Sequence, residues 1–410
     1  MNSSKLRRSS EKIRLPRGFS FSALAAGIKV SRRPDLALVE ASGGAAGAAL
    51  FTSNLVVAAP VEVGRASLAL LAAGGGRVRA VIVNSGNANC ATGRAGLQAC
   101  QRVCRNAAKI LGAAPPQVFP SSTGIIGVPM PDDKIRAKLP ELFATRSADE
   151  RGVRAFAQAI MTTDTRPKIA SARFRTASND ATILGIAKGA GMIHPQLATM
   201  LVYLLTDLEA TPTELQRFLS DACDESLNCM SIDGDTSTND TVLLLASGAS
   251  GVRVRDAGVR KKFCAALTGV CQSLAEQIVS DGEGVQHVIR LHMEQARSRE
   301  EAMTVARTIA HSFLVKTAWA GADPNWGRIL AAVGRSGIPI DPARVQIFIG
   351  KQKVCRNGVA CQFNEREAHR ALAQPVCDVR VELGRGRQSV QFLTTDLTAE
   401  YVRINADYST

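Results

Sequence analysis

The segment Lys188-Gly189-Ala190-Gly191-Met192-Ile193-His194-Pro195-Gln196-Leu197-Ala198-Thr199-Met200-Leu201 places a threonine where a glycine- and proline-bearing loop gives way to an apolar run. A threonine hydroxyl is a weak nucleophile until a neighbouring base takes its proton. A β-forming threonine that merely opens a strand has the same pattern. Four other polar segments offer groups that such a nucleophile would need. They are Ser121-Ser122-Thr123-Gly124-Ile125-Ile126-Gly127, Met161-Thr162-Thr163-Asp164-Thr165, Asp281-Gly282-Glu283-Gly284 and the terminal Tyr401-Val402-Arg403-Ile404-Asn405-Ala406-Asp407-Tyr408-Ser409-Thr410. Each has an ordinary explanation when taken alone. A Thr-Gly pair punctuates turns, Lys188 or Glu283 can be a surface charge, and a polar terminus frays.

Other chemistries find little support. The ten cysteines form no C-x-x-C pair, and the five scattered histidines form no H-E-x-x-H. A zinc framework is therefore not expected, nor is any other metal, and a 410-residue chain needs no disulfides, so reduced buried thiols in a cytoplasmic protein are expected. Asp233-Gly234-Asp235-Thr236-Ser237-Thr238-Asn239-Asp240 hints at calcium but lacks the EF-hand spacing. The formal net charge of +14 invites a nucleic-acid reading. Yet the basic residues are scattered, apart from a cluster before Gly18, with no recognition-helix pattern and no aromatic-studded basic strand. Residues 41–61 carry no charge, but their glycines, Thr52, Ser53, Asn54 and Pro60 would strand polar groups in lipid. The expectation is a cytoplasmic protein with neither nucleic-acid nor membrane partner.

The elements that position these loops mix both types. Val78 to Val83, Val345 to Ile349, Val379 to Leu383 and Val390 to Leu393 alternate as strands do. Met200 to Leu205 and Val242 to Leu245 are unbroken apolar runs, as expected of strands covered on both faces. Thr211-Pro212-Thr213-Glu214 has capping-box spacing before a helix. Phe263, Leu267, Val270, Leu274 and Ile278 mark a second helix, and Ser298 with Glu301 opens a third. An α/β or α+β body follows.

The run K-G-A-G-M-I-H-P-Q-L-A-T-M-L resembles the autoprocessing segment of the ornithine acetyltransferase family, also called the bifunctional glutamate N-acetyltransferase or ArgJ family. Family sequences usually carry Asn-Met where this chain has Gln196-Leu197. The resemblance extends from about Pro16 to Thr410. It implies self-cleavage at the Ala198–Thr199 bond and a nucleophilic Thr199. The 121–127 segment is similar to the family's S-T-G-V-I-G, which implies an oxyanion hole from the Thr123 side chain and the Gly124 N–H. By the same resemblance Thr162, Lys188, Thr199, Glu283, Asn405 and Thr410 contact substrate. Asn84-Ser85-Gly86-Asn87-Ala88-Asn89, the 233–240 block and Gly321-Ala322-Asp323-Pro324-Asn325-Trp326-Gly327-Arg328 also match family blocks, and they are expected to support the site from behind.

What the resemblance implies is a two-lobed α/β sandwich of the type shared with DmpA-like self-cleaving aminopeptidases. Residues 1–17 would be a basic flexible leader, 18–198 the α chain and 199–410 the β chain, assembling as an α2β2 heterotetramer. The implied reaction is ping-pong transfer of acetyl from N-acetylornithine to glutamate, releasing ornithine and N-acetylglutamate. No cofactor is required, and acetyl-CoA is a possible second acetyl donor. The rivals are a self-cleaving amidohydrolase or aminopeptidase on the same fold and an unprocessed basic nucleic-acid-binding protein.

Overall fold

The computed structural model describes residues 12–176, 179–193, 200–255 and 257–407. Two sheets organise them. The first holds β1 (Phe19–Leu24), β2 (Leu36–Phe51), β3 (Val78–Asn87), β4 (Val118–Ile125), β5 (Lys168–Arg175), β6 (Asp180–Lys188), β7 (Leu201–Thr206) and β8 (Thr241–Ala246). Its order is β4-β3-β2-β8-β7-β6-β5, with β1 paired to β2. The second holds β9 (Val288–Ala296), β10 (Gln346–Ile349), β11 (Gln352–Arg356), β12 (Val359–Ala360), β13 (Val376–Glu382) and β14 (Gln388–Thr395), in the order β12-β11-β10-β13-β9-β14. The helices are α1 (Ala59–Gly74), α2 (Gly93–Leu111), α3 (Asp132–Ala144), α4 (Glu150–Ala159), α5 (Pro212–Asp224), α6 (Ala257–Val279), α7 (Arg299–Ala310), α8 (Phe313–Ala320), α9 (Trp326–Gly334), α10 (Glu365–Leu372) and α11 (Ala399–Asp407). The mixed α/β class expected from the sequence is the class observed.

The centre of the first sheet is covered on both faces, and this explains the unbroken apolar runs. Along β7 and β8, Val202, Leu204, Val242 and Leu244 pack with α5 and α6, while Tyr203, Leu205, Leu243 and Leu245 pack with Phe156 of α4 on the other side. The expected alternation in 78–83 is largely hidden for the same reason, because every residue of β3 from Ala80 to Ser85 is buried. Thr211 does close a capping box: its Oγ1 accepts the Glu214 N–H (3.3 Å), and Glu214 accepts the Thr211 N–H (2.9 Å). Ser298 likewise accepts the Glu301 N–H at the start of α7.

The second sheet is covered on one face only. Ile289, Leu291 and Met293 of β9 and Cys377, Val379 and Val381 of β13 join a core with α7 to α10. Between them, Arg290, His292, Glu294, Asp378, Arg380 and Glu382 face away from it. The sheets meet where Val288 and Leu393 enter the core around α6. The basic leader is not free along its described part. Ile13 is buried against the first sheet, and the Arg14 and Arg17 N–H groups donate to Ser171 and Asp207. Among the described residues no helix is long and apolar enough to cross a membrane.

Candidate active site

β6 and β7 are antiparallel neighbours whose ladder ends at the Lys188–Leu201 pair, so Gly189 follows the end of one strand and Met200 precedes the start of the other. Thr199 and its bond to Ala198 lie outside the described residues, as does Thr410. Both stubs of the 189–200 segment are described, and one loop holds them. Asp233 accepts the Met192 N–H (2.6 Å) and the Ile193 N–H (2.9 Å), and Asp240 accepts the Met200 N–H (2.8 Å). The first and last aspartates of the 233–240 block thus clamp the two sides of the implied cleavage segment. Burial pushes the Asp240 carboxyl well above its usual range, more than the Met200 N–H and Lys188 lower it.

The oxyanion-hole candidates sit at the end of β4, which runs parallel to β3 with Ser85 opposite Thr123 and Gly86 opposite Gly124. The register breaks at Asn87, so the strands diverge there. Gly124 has φ +134°, and a Cβ on it would lie 2.3 Å from the Gly86 carbonyl carbon. Only glycine fits at that place. Behind it, the Ser122 hydroxyl donates to Asn84, and the Asn239 amide donates to the carbonyls of Ala88 and Ser122. This gives the 84–89 and 233–240 blocks the supporting role expected of them.

Buried charge ties the remaining segments together. The Lys168 ammonium is wholly buried and lies 2.6 Å from carboxylate oxygens of both Asp164 and Asp281. Asp164 also accepts the N–H groups of Gly189 (2.7 Å) and Thr162 (3.0 Å), and Asp281 accepts that of Thr165 (3.1 Å). Burial alone would raise the Asp164 carboxyl, but the charges of Lys188 and Lys168 and its hydrogen bonds hold it at about 2. Lys29 binds the Met161 carbonyl (2.7 Å) and that of Ala159 (3.2 Å), which fixes the chain before Thr162. Burial brings the Lys29 amine down to about 8 against the charge of Asp35.

Thr123, Gly124, Thr162, Lys188, Glu283 and Asn405 line one pocket. Lys188 donates to the Thr123 hydroxyl oxygen (3.3 Å), and the Glu283 carboxylate accepts from the Asn405 amide (2.9 Å). Burial lowers the Lys188 amine, opposed by the charges of Asp164, Asp240 and Glu283. Gly191 approaches so closely that a Cβ there would lie 2.5 Å from a Glu283 oxygen. α11 is docked by the Tyr401 hydroxyl on Asp233 (3.2 Å) and the Thr398 hydroxyl on the Gly284 carbonyl (2.7 Å). A pocket with an ammonium, a carboxylate and several hydroxyls suits a small zwitterion.

Thr163, Ser237, Thr238 and Asn239 also line the pocket. They were singled out only as parts of larger motifs, and no spacing rule marks them as site residues. The 321–328 block does not support the site as expected. It forms the α8–α9 junction beside α10 and shares no lining residue with the pocket. Its polar residues serve each other: Asp323 accepts from the Asn325 amide (3.0 Å), and Asn325 caps α9 by accepting the Arg328 N–H (3.2 Å). No group of three or more His, Cys, Asp or Glu among the described residues is arranged to hold a metal ion.

Comparison with known proteins finds relatives along nearly the whole chain. The chain is 45% identical over 397 residues to the arginine biosynthesis bifunctional protein ArgJ of Methylococcus capsulatus, covering 96% of this chain and 95% of that protein. A solved bifunctional ArgJ chain from Bacillus halodurans is 37% identical over 49% of this chain and 96% of its own, with a TM-score of 0.47. An ornithine acetyltransferase chain from Mycobacterium tuberculosis, solved with ornithine, is 36% identical over 47% of this chain and 96% of its own, with a TM-score of 0.39. The ArgJ family model matches residues 20–410. Membership at this coverage sets aside the peptidase and nucleic-acid-binding rivals: the chain belongs to the ArgJ family, the bifunctional acetyltransferases of arginine biosynthesis.

Proposed function

We propose that the chain cuts itself between Ala198 and Thr199 and then carries an acetyl group on the freed Thr199. Thr199 Oγ1 adds to the acetyl carbonyl of N-acetylornithine, with Thr123 and Gly124 donating to the oxyanion. The C–N bond breaks, and ornithine leaves with the proton taken up by the Thr199 α-amine. The reference pKa of an α-amine, about 7.7–8.0, suits it to that task. The glutamate amine then attacks the acetyl ester, the ester C–O bond breaks, and the hydroxyl is restored as N-acetylglutamate departs. Acetyl-CoA entering the same pocket would acetylate Thr199 directly and release CoA. Thr162, Lys188, Glu283, Asn405 and Thr410 hold the substrate.

One observation carries this reading. Six residues named from five separate motifs line a single pocket, and Asp233 and Asp240 grip both stubs of the segment that contains Thr199. The sheet order supports lasting association of the two products. β7 and β8, from beyond the bond, lie between β2 and β6, from before it. Residues 1–198 and 199–410 therefore cannot part without tearing the sheet. We place the enzyme in the cytoplasm as an α2β2 assembly.

Thr199→Ala tests the assignment. A denaturing gel should show one uncut chain, and acetyl transfer should vanish, whereas Thr199→Ser should still process. Normal cleavage in Thr199→Ala would overturn the nucleophile. Rapid hydrolysis of N-acetylornithine that added glutamate does not accelerate would overturn the acceptor.

A further inference from the structure

The Lys188–Thr123 contact has a direction that chemistry fixes. An ammonium has three donors and no acceptor, whereas a hydroxyl has one proton and two lone pairs. At 3.3 Å Lys188 Nζ must be giving and Thr123 Oγ1 receiving. The Thr123 proton then has to go elsewhere, and among the described residues no acceptor takes it. Thr123 is itself buried and lines the pocket beside Gly124. Lys188 is buried too, and no ion pair joins it to a carboxylate among the described residues, although the charges of Asp164, Asp240 and Glu283 act on it.

We infer that Lys188 is a positioning residue for the oxyanion hole: by occupying a lone pair of Thr123 it turns the Thr123 hydroxyl proton into the pocket and polarises that O–H bond. The inference rests on the acetyl-transfer reading above and adds to it a second task for Lys188, which was named there only as a substrate contact. A hydroxyl that receives from a charged donor is itself a better donor, because the chain of bonds is polarised along its length. A free threonine rotor would have to be aimed at each turnover. One held by Lys188 is aimed beforehand, which is the arrangement that stabilises an oxyanion without reorganisation.

The same geometry gives a pH signature. Burial lowers the Lys188 amine, with Lys168 adding to the effect and Asp164, Asp240 and Glu283 opposing it. As pH rises through that lowered value the ammonium loses its proton. The neutral amine can then accept from Thr123, and the donor is withdrawn from the pocket. Turnover should acquire an alkaline limb that depends on Lys188.

A double-mutant cycle tests the coupling. Lys188→Met, Thr123→Ala and the double variant are sorted on a denaturing gel into cut and uncut chains. On cut enzyme, kcat and KM are measured with N-acetylornithine and glutamate. Lys188→Met should lower kcat by about ten-fold or more, within the range of an oxyanion donor, while KM rises far less. Added to Thr123→Ala it should cost less than about two-fold, because no hydroxyl remains to aim. Its pH profile should lack the alkaline limb. If a variant stays uncut, the cycle is read from the rate of self-cleavage, which passes through the same kind of oxyanion. A loss confined to KM, or a full multiplicative loss on top of Thr123→Ala, would overturn the inference. Failure of the Thr199 reading would show separately, as cleavage and transfer surviving in Thr199→Ala.

Discussion

The two sheets treat charge in opposite ways. At the edge of the first, Lys168, Asp164 and Asp281 are buried together, with side chains 0%, 0% and 3% exposed. On the open face of the second, Arg380 lies 3.8 Å from Glu294 and 3.4 Å from Glu382, with the arginine 39% exposed. Burying unpaired charge is very costly, so a buried cluster persists only where each member is matched. The matched cluster here fastens the 161–165 and 281–284 segments to Gly189 at the end of β6, and these are the segments that bring Thr162, Lys188 and Glu283 to one pocket. The exposed face has no such demand to meet, and its pairs stay wet. The site stands where charge is expensive to misplace.

Lys168→Met is the strongest way to break this contrast. Removing one partner from a buried ion pair leaves the others uncompensated and costs about 3–5 kcal/mol. Here two carboxylates lose the same partner. Chemical denaturation at neutral pH should show a loss of that order, and acetyl transfer should fall with it because Thr162 and Glu283 lose their anchor. The pH dependence has a definite sign. In the parent, Asp164 is held at about 2, below the ordinary 3.8 of an aspartate, so its stabilisation is present above the higher value and is lost as pH falls through the lower. In the variant the Asp164 carboxyl loses the charge and hydrogen bond of Lys168, moves up and takes a proton more readily in the folded state. The stability gap should therefore be widest near pH 7 and narrow as acid is added. A gap of less than about 1 kcal/mol at neutral pH would place the cluster with the surface pairs.

How far the sequence revealed this site depends on whether the information was local. Thr123-Gly124, Thr162, Lys188, Glu283 and Asn405 each sit in a short recognisable motif, and the structure gathers them. The capping box at Thr211, the Ser298 cap and the fully covered strands were equally local. The cluster was not, because Lys168 and Asp281 are 113 residues apart and an ordinary Lys in a strand carries no mark of its partner. Asp233 and Asp240 were visible as a motif, but their grip on Met192, Ile193 and Met200 depends on how two loops cross. The 321–328 block misled for the converse reason: an Asx turn with a helix cap looks the same beside a site or away from it. β2 escaped notice because residues 41–50 are mostly Ala and Gly, poor strand formers, and pairing with β3 and then β8 overrides that preference.

Gly284→Ala sharpens the comparison at intermediate size, since it acts on the arm that joins the second half of the chain to the site. Gly284 has φ +67°, and an added Cβ would lie 2.4 Å from the Tyr401 backbone nitrogen. Strain at such a position is of order 1–3 kcal/mol, and backbone cannot move aside as a flexible side chain can. α11 would lift, drawing Asn405 from Glu283 and Tyr401 from Asp233. Steady-state kinetics should show KM for N-acetylornithine raised by about ten-fold, which corresponds to about 1.4 kcal/mol. The melting temperature should fall only modestly, because α11 buries no residue fully. An unchanged KM would remove α11 from the site wall.

Arg380→Ala should do least, and its smallness is the point. The guanidinium stacks on Phe348 with its carbon 3.8 Å from the ring centroid, and it pairs loosely with Glu294 and Glu382. Exposed ion pairs contribute about 0.2–1 kcal/mol and an exposed cation–π contact about 0.5–1 kcal/mol. Neither glutamate is left wholly buried by the variant, with Glu294 36% and Glu382 12% exposed. Denaturation should register a loss of about 1 kcal/mol, and the part owed to the glutamates should shrink in high salt while the stacking part persists. Acetyl transfer should stay within two-fold of the parent, because the second sheet's open face shares no residue with the pocket. A loss rivalling that of Lys168→Met would mean that this face is covered in the working assembly, where the same arginine would then meet the desolvation that the Lys168 cluster meets in the single chain.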